Sequence, residues 1–308
     1  MGIVSAGSSR YSSDVHPRLV GIGELLWDLL PGGRQLGGAP ANFSYHAFAL
    51  GAEALLISRI GRDKLGHEAL DQLKKLGLPV GGIEVDQTLP TGTVHVEVAA
   101  DGQPRYEISE NVAWDGLRGE MAGWTATREA HGVCFGSLAQ RREPSRATIR
   151  ALVANSPGNA WRIFDVNLRQ HYFSKQIIED SLALANVLKV NETELPQLAE
   201  MLGLAGDPRT QISQLVDRYD LRTVAYTRGG GGSLLLRDGA WSDHPGIHAR
   251  VVDTVGAGDS FTAALTFGLI AGWDLDRIND RSNRLAAYVC SCSGGMPPLP
   301  EKLCELFR

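Results

Sequence analysis

Asp253-Thr254-Val255-Gly256-Ala257-Gly258-Asp259-Ser260 joins a turn of small residues to an acid at the entrance of an expected helix. Its glycines let backbone amides converge on an anion. The residues that follow, 261–270, are almost wholly apolar, so the positive end of the helix dipole points into the turn. A carboxylate beside such an anion hole is poorly suited to holding negative charge. It is well suited to taking a proton from a hydroxyl that attacks a phosphoryl group. Taken alone, the stretch reads equally as a tight turn with Asp259 as helix cap. Two better-known phosphate loops do not fit. Gly256-Ala257-Gly258-Asp259-Ser260-Phe261 lacks the last glycine of a dinucleotide fingerprint and no Walker lysine follows; Gly21-Ile22-Gly23-Glu24-Leu25-Leu26 fails in the same way.

Working outward, short apolar runs alternate with longer helical patterns, which predicts an α/β fold on a mostly parallel sheet. The runs are Leu19 to Gly23, Ala54 to Ile60, Gly132 to Phe135, Ile163 to Val166, Val187 to Val190 and Thr223 to Tyr226. Asp165, Asn167, Asn191 and Thr227 sit in or just after such runs, where ligands of open α/β sheets gather. They also suit helix caps. Residues 91–99 instead alternate Val94, Val96 and Val98 with His95 and Glu97, and Asp101-Gly102 turns into Arg105-Tyr106-Glu107-Ile108. This predicts a β-hairpin standing off the main sheet. Such a hairpin is marginal by itself, so it either closes over a ligand, meets a partner subunit or shields a sheet edge.

Composition excludes several classes. The net charge of −5, without a long Lys or Arg run, argues against a nucleic-acid surface, so an anionic nucleotide must be held locally. No stretch approaches eighteen uninterrupted apolar residues, which argues against a membrane span. Residues 1–17 are rich in Ser and Gly, lack the apolar core of a secretory signal, and read as a disordered tail. Cys134, Cys290, Cys292 and Cys304 read as reduced thiols of a cytoplasmic protein, since Cys290-Ser291-Cys292 is too close for a usual zinc pair. At 308 residues and 43% hydrophobic, the chain can bury one large domain or two smaller ones.

A second constellation, Gly37-Gly38-Ala39-Pro40-Ala41-Asn42, stands far upstream of the Asp253–Asp259 run. Between them lie Asp165-X-Asn167-X-Arg169, Asn191-X-X-Glu194 and Thr227-X-Gly229. In this order and separation the five motifs, spread over residues 18–300, resemble those of PfkB/ribokinase-family carbohydrate kinases, most of all bacterial fructokinases. The resemblance implies a ribokinase-like three-layer sandwich over residues 18–308, with a small β lid mainly around 91–110 that often also forms a dimer contact. It implies transfer of the γ-phosphoryl group of ATP to a sugar hydroxyl.

By the same resemblance, Asp259 is the general base, with the amides of Gly256, Ala257 and Gly258 around the transferred group. Asp28, Gly37, Gly38 and Asn42 face the sugar, and Arg169 reaches a phosphate. Asn191 and Glu194 position Mg²⁺ indirectly; their spacing also suits a capping box. Thr227, Gly229 and Gly232 belong to a nucleotide loop, with Asn283 near the adenine. Asp253, Val255 and Gly295 are implied at a monovalent cation such as K⁺. Asp28 also reads as a turn acid, Asn42 as a helix-start residue and Arg169 as a surface residue. The chain departs from the pattern at Gly61-Arg62-Asp63-Lys64-Leu65-Gly66, where the family commonly shows an acid-rich Gly-Asp-Asp element, and at Cys290 and Cys292. The Ala39-Pro40 pair, where ribokinases tend to carry a lysine, makes fructose the leading acceptor. Ribose, 2-keto-3-deoxygluconate and a catalytically silent sugar or nucleotide sensor are the alternatives.

Overall fold

The computed structural model describes residues 16–98 and 104–308. Its thirteen strands are β1 (Arg18–Ile22), β2 (Leu26–Leu30), β3 (Gly33–Gly37), β4 (Glu53–Gly61), β5 (Ile83–Asp86), β6 (Gly92–Val98), β7 (Pro104–Ile108), β8 (Gly132–Phe135), β9 (Trp161–Asp165), β10 (Val187–Asn191), β11 (Thr223–Thr227), β12 (Ser233–Arg237) and β13 (Ala240–His244). The principal helices are α1 (Ala39–Ala49), α2 (Lys64–Lys75), α3 (Met121–Arg128), α4 (Glu143–Ala154), α5 (Lys175–Leu184), α6 (Glu194–Leu202), α7 (Pro208–Tyr219), α8 (Ala257–Ile270) and α9 (Leu275–Cys290).

Nine strands form the central sheet in the order β13-β12-β11-β10-β9-β8-β1-β4-β5. From β5 to β11 every pairing is parallel, and β12 and β13 close one edge antiparallel. The six apolar runs are the parallel strands β1, β4, β8, β9, β10 and β11. Their residues alternate between two cores. Val20, Ile22, Val133, Phe135, Leu188 and Val190 pack with α4 to α7, while Leu19, Leu56, Ile163 and Val187 pack with α1, α2, α8 and α9. Both faces are therefore buried, as a parallel sheet requires. α8 is apolar all round because it lies between the sheet, α1 and α9, and residues 260–270 are all buried.

The expected hairpin is β6 and β7; its turn at Asp101-Gly102, like most of the N-terminal tail, falls outside the described residues. It belongs to a second sheet of four strands, β3-β2-β6-β7. Here β2 runs parallel to β6 and antiparallel to β3, with Asp28 opposite Gln35 and Val94. Asp28 is thus a strand residue, in a ladder whose Leu26, Trp27 and Leu36 are all buried. α1 starts at Ala39, so Pro40 lies in its first turn, where a missing N–H costs nothing.

Candidate active site

β4 lies on one side of β1 and β8 on the other, which puts the topological switch of the sheet at the carboxyl end of β1. Two helix N-termini converge there. Asn42, in the first turn of α1, donates Nδ2–H to Asp259 Oδ2 at 2.7 Å. Asp259 lies in the first turn of α8, so it is not the cap of that helix. Gly256 is, with φ 77°. A Cβ there would come within 2.6 Å of the Gly295 backbone, so both the left-handed conformation and the space require glycine. The amides of Gly256, Gly258 and Asp259 have no acceptor among the described residues, and Ala257 has only a long 3.4 Å bond to the Thr254 carbonyl. This turn can receive an anion on its backbone.

Burial, reinforced by the charge of Asp165, pushes the Asp259 carboxyl up to about 6, while the Asn42 hydrogen bond, Lys189 and Arg169 pull the other way. A carboxylate so placed is a stronger base than one in water and is still largely ionised near pH 7.

The small sheet forms the opposite wall. The Asp28 carboxylate lies over Gly37, where a Cβ would come within 2.8 Å of Oδ2, and it has no hydrogen-bond partner among the described residues. Burial raises Asp28 to about 6, with Arg169 opposing and Asp253 adding to the shift. Gly38, at φ 109°, caps α1, and a Cβ there would run into the Glu24 carbonyl, so no side chain fits. Glu24 accepts the Ala39 N–H at 3.2 Å and thereby caps α1 from outside the helix. It is 3% exposed, and burial pushes its carboxyl up to about 7. Arg169 is exposed yet acts electrostatically on Asp259, Asp28 and Glu24. Asp28, Gly37, Gly38 and Asn42, named from sequence for the sugar, and Arg169, named for a phosphate, therefore surround one cleft.

The carboxyl ends of β9, β10 and β11 line its other side. Lys189 Nζ meets Asp165 Oδ1 at 3.0 Å, and Thr262 Oγ1 donates to Asp165 Oδ2 at 2.8 Å. Asn191 Oδ1 accepts from Thr193 and Glu194 amides, and Glu194 Oε2 accepts the Asn191 amide, a reciprocal cap at the start of α6. Glu194 Oε1 takes the Leu168 amide at 3.1 Å. Asn191 is thus committed to the turn, and Glu194 retains lone pairs with which to hold a metal-bound water. Burial raises the Glu194 pKa against the pull of Lys189.

In the next loop, Gly229 is exposed and a Cβ there would approach Glu192 Oε1 at 3.2 Å, so the loops after β10 and β11 are neighbours. Gly232 uses both backbone groups internally, donating to Gly229 and accepting from Arg228. Asn283 is buried with its amide committed to Ser233 Oγ at 2.7 Å, which holds α9 against the end of this loop.

Asp253 accepts the amides of Val255 and Gly294, each at 3.0 Å. These two bonds hold the turn 253–256 beside Gly295, whose carbonyl accepts the Nε2–H of His46 at 2.9 Å. Burial lowers His46 to about 4, so this imidazole is neutral and adds no charge beside Asp253. Asp253, Val255 and Gly295 therefore lie together, though one lone pair of the Gly295 carbonyl is already used.

Four site residues escaped sequence reading: Glu24, Gln35, His46 and Lys189. Gln35 Nε2 reaches Ser293 Oγ at 3.3 Å and ties the small sheet to the 293–295 turn. The signals were present as polar residues inside apolar patterns, Lys189 within Val187 to Val190 above all. A cavity of about 510 Å³ opens at the amino ends of β1 and β4, lined by Arg18, Leu19, Glu53 and Ala54, at the opposite end of the strands from these groups.

Comparison with known proteins gives the family and the fold. A fructokinase of Klebsiella pneumoniae is 30% identical over 299 residues, covering 91% of this chain and 95% of the relative. An uncharacterized sugar kinase of Pyrococcus horikoshii, solved in complex with ATP, superposes with a TM-score of 0.81 at 28% identity, covering 94% of this chain and all of the other. A Vibrio cholerae fructokinase double mutant, solved with fructose, ADP and potassium, shares the fold with a TM-score of 0.80 at 22% identity, over 96% of this chain and 99% of that one. Among the described residues no helix is long and apolar enough to cross a membrane. The sequence pattern of the pfkB family carbohydrate kinases matches residues 32–302. The chain belongs to the pfkB family of carbohydrate kinases and is an ATP-dependent sugar kinase.

Proposed function

We propose that the protein phosphorylates free fructose, with Asp259 as general base. The observation that carries this reading is the placement of Asp259, held by Asn42 at 2.7 Å, on the same helical turn as three unpaired amides. The acceptor hydroxyl gives its proton to Asp259 as its oxygen attacks the γ-phosphoryl group, and the bond to the leaving ADP oxygen breaks. The amides of Gly256, Gly258 and Asp259 hold the charge of the transferred group without reorganising. Arg169, which is exposed and faces three carboxylates, is free to swing onto phosphate with its forked donors.

Asp28 and Asn42 read the sugar hydroxyls, and the sheet β3-β2-β6-β7 covers them as a lid; its open outer edges suit a dimer contact. Thr227 and Gly229 hold the nucleotide phosphates, while Gly232 and Asn283 shape that loop from behind. Mg²⁺, when bound to ATP, neutralises phosphate charge, and Glu194 orients its water shell through its remaining lone pairs. A monovalent cation at Asp253 and the Val255 and Gly295 carbonyls would steady the turn 253–256, as the potassium-bound Vibrio cholerae fructokinase suggests. Fructose is favoured by the fructokinase relatives and by the Ala39-Pro40 pair. Four free cysteines and bacterial fructokinase relatives favour the cytoplasm.

A panel of fructose, ribose, tagatose and 2-keto-3-deoxygluconate with ATP and Mg²⁺, scored for ADP release, tests the reading. Fructose should give the highest kcat/KM; a far higher value for another sugar would replace the substrate, and no turnover with any would favour a silent sensor. Replacing Glu194 by Gln should move the Mg²⁺ titration of the rate to higher concentration. An unchanged titration would remove Glu194 from that role.

A further inference from the structure

Lys189 is a buried lysine at the centre of a parallel sheet, a position that nothing in the reaction as described requires. Its side chain is 7% exposed and that of its partner Asp165 is 6% exposed. A buried ion pair is weak evidence for stability, because desolvation cancels most of the attraction. This pair is in addition tied to the helix that carries the proposed base. Asp165 Oδ2 accepts from Thr262 Oγ1 at 2.8 Å, and Thr262 follows Asp259 by less than one turn of α8. The Thr262 hydroxyl also bonds the Gly258 carbonyl at 3.0 Å. Lys189 Nζ lies 3.0 Å from where a Cβ of Gly258 would stand, so the ammonium packs directly behind the anion-binding turn. Strands β9 and β10 thus hold the first turn of α8 through one carboxylate and one ammonium.

We propose that the Asp165–Lys189 pair, closed onto α8 by Thr262, is the positioning element of the phosphoryl-transfer site and sets the protonation of Asp259 by two opposing charges. The inference rests on Asp259 acting as the base. The charged groups facing Asp259 are Asp165 from β9, Lys189 from β10, Arg169 beyond β9 and Glu24 beyond β1, with the neutral amide of Asn42 from α1 and the thiol of Cys134 from β8. Glu194 adds a further carboxylate near Lys189. Asp165 opposes ionisation of Asp259 and Lys189 favours it, so the two halves of one pair must shift the base in opposite directions.

The test is the pH profile of kcat/KM for the best sugar in Asp165→Asn, Lys189→Met and the double variant. Asp165→Asn should move the acidic limb down, and Lys189→Met should move it up, each by about one pH unit. The double variant should restore most of the original position at a lower plateau. Limbs that stay in place in both single variants, with activity lost only in step with melting temperature, would overturn the proposal. Thr262→Val separates positioning from charge and carries the test if a charge variant does not fold. It keeps both ions but frees α8, and should lower kcat about tenfold, the scale of a modest misplacement, with both KM values nearly unchanged. An unchanged kcat there would also overturn the proposal. Failure of the base assignment reads differently, because Asp259→Asn would then stay active, whereas an inactive Asp259→Asn with unmoved limbs removes this inference alone.

Discussion

Asp259→Asn is expected to lower kcat by about 10²- to 10⁴-fold while sugar and ATP affinities stay near those of the unsubstituted enzyme. The amide keeps the size of the carboxyl and can still meet the Asn42 side chain, so the cleft survives. What is lost is the proton acceptor, which acts chiefly in the transition state. The unsubstituted enzyme should also show a distinct acidic limb. With Asp259 as the proposed base, its raised pKa, about 6, leaves it protonated and idle below that pH. Activity should therefore rise with pH through about 6 and level off above it. Pre-steady-state rates measured on both sides of that value would check this, and full activity in Asp259→Asn would exclude the base assignment.

The second large effect is expected at Asp28. Its carboxylate lies over Gly37 without a hydrogen-bond partner among the described residues, on the face of β2 opposite the buried Trp27. If it accepts a sugar hydroxyl, an analogue lacking that hydroxyl leaves a buried polar group unpaired, and discrimination can reach about 10⁴. Asp28→Ala should then depress kcat/KM for fructose far more than it weakens ATP binding, and should narrow the difference between fructose and its deoxy analogues. The measurement is kcat/KM for each sugar in both proteins, with nucleotide affinity determined separately. Equal losses for all sugars and for ATP would show that Asp28 supports the small sheet and not the acceptor.

The raised carboxylates also carry a cost in stability with a definite sign. Glu24 and Asp28 have pKa values above their unfolded values, to about 7 and about 6, so the folded state binds more protons between about pH 4 and 7. Their contribution favours folding at the acidic end and is lost as pH rises through the folded values. Such strained acids cluster where ligands bind, which fits their places on two walls of one cleft.

Much of the chain was legible from its sequence because the relevant physics is local. Runs such as Val187 to Val190 cannot form half-exposed strands, and their alternation with helical patterns leaves a parallel sheet covered on both faces. Gly256 before an apolar helix announces an amide-lined turn, and the ordered motifs bring Asp259, Asn42 and Asp28 into one reading. The capping box of Asn191 with Glu194 was legible from spacing too, and it is compatible with a role at Mg²⁺, since the cap leaves lone pairs on Glu194.

Other features depended on groups that meet only after folding. β2 and β3 were hidden because Asp28 and the Pro31-Gly32 turn suggested a loop; pairing with the distant β6, which sets Leu29 opposite His95, makes β2 a strand and β3 its antiparallel neighbour. The sequence by itself determined the fold class, through periodicity within short segments, and the family, through the resemblance of its ordered motifs. Only the tertiary structure decided how Lys189, Asp165 and Thr262 share one buried contact, how Glu24 caps a helix that begins beyond the small sheet's first two strands, and how His46 reaches Gly295. Burial and charge at those points set the proton affinities of the carboxylates, and burial is a property of the packed molecule, not of any segment.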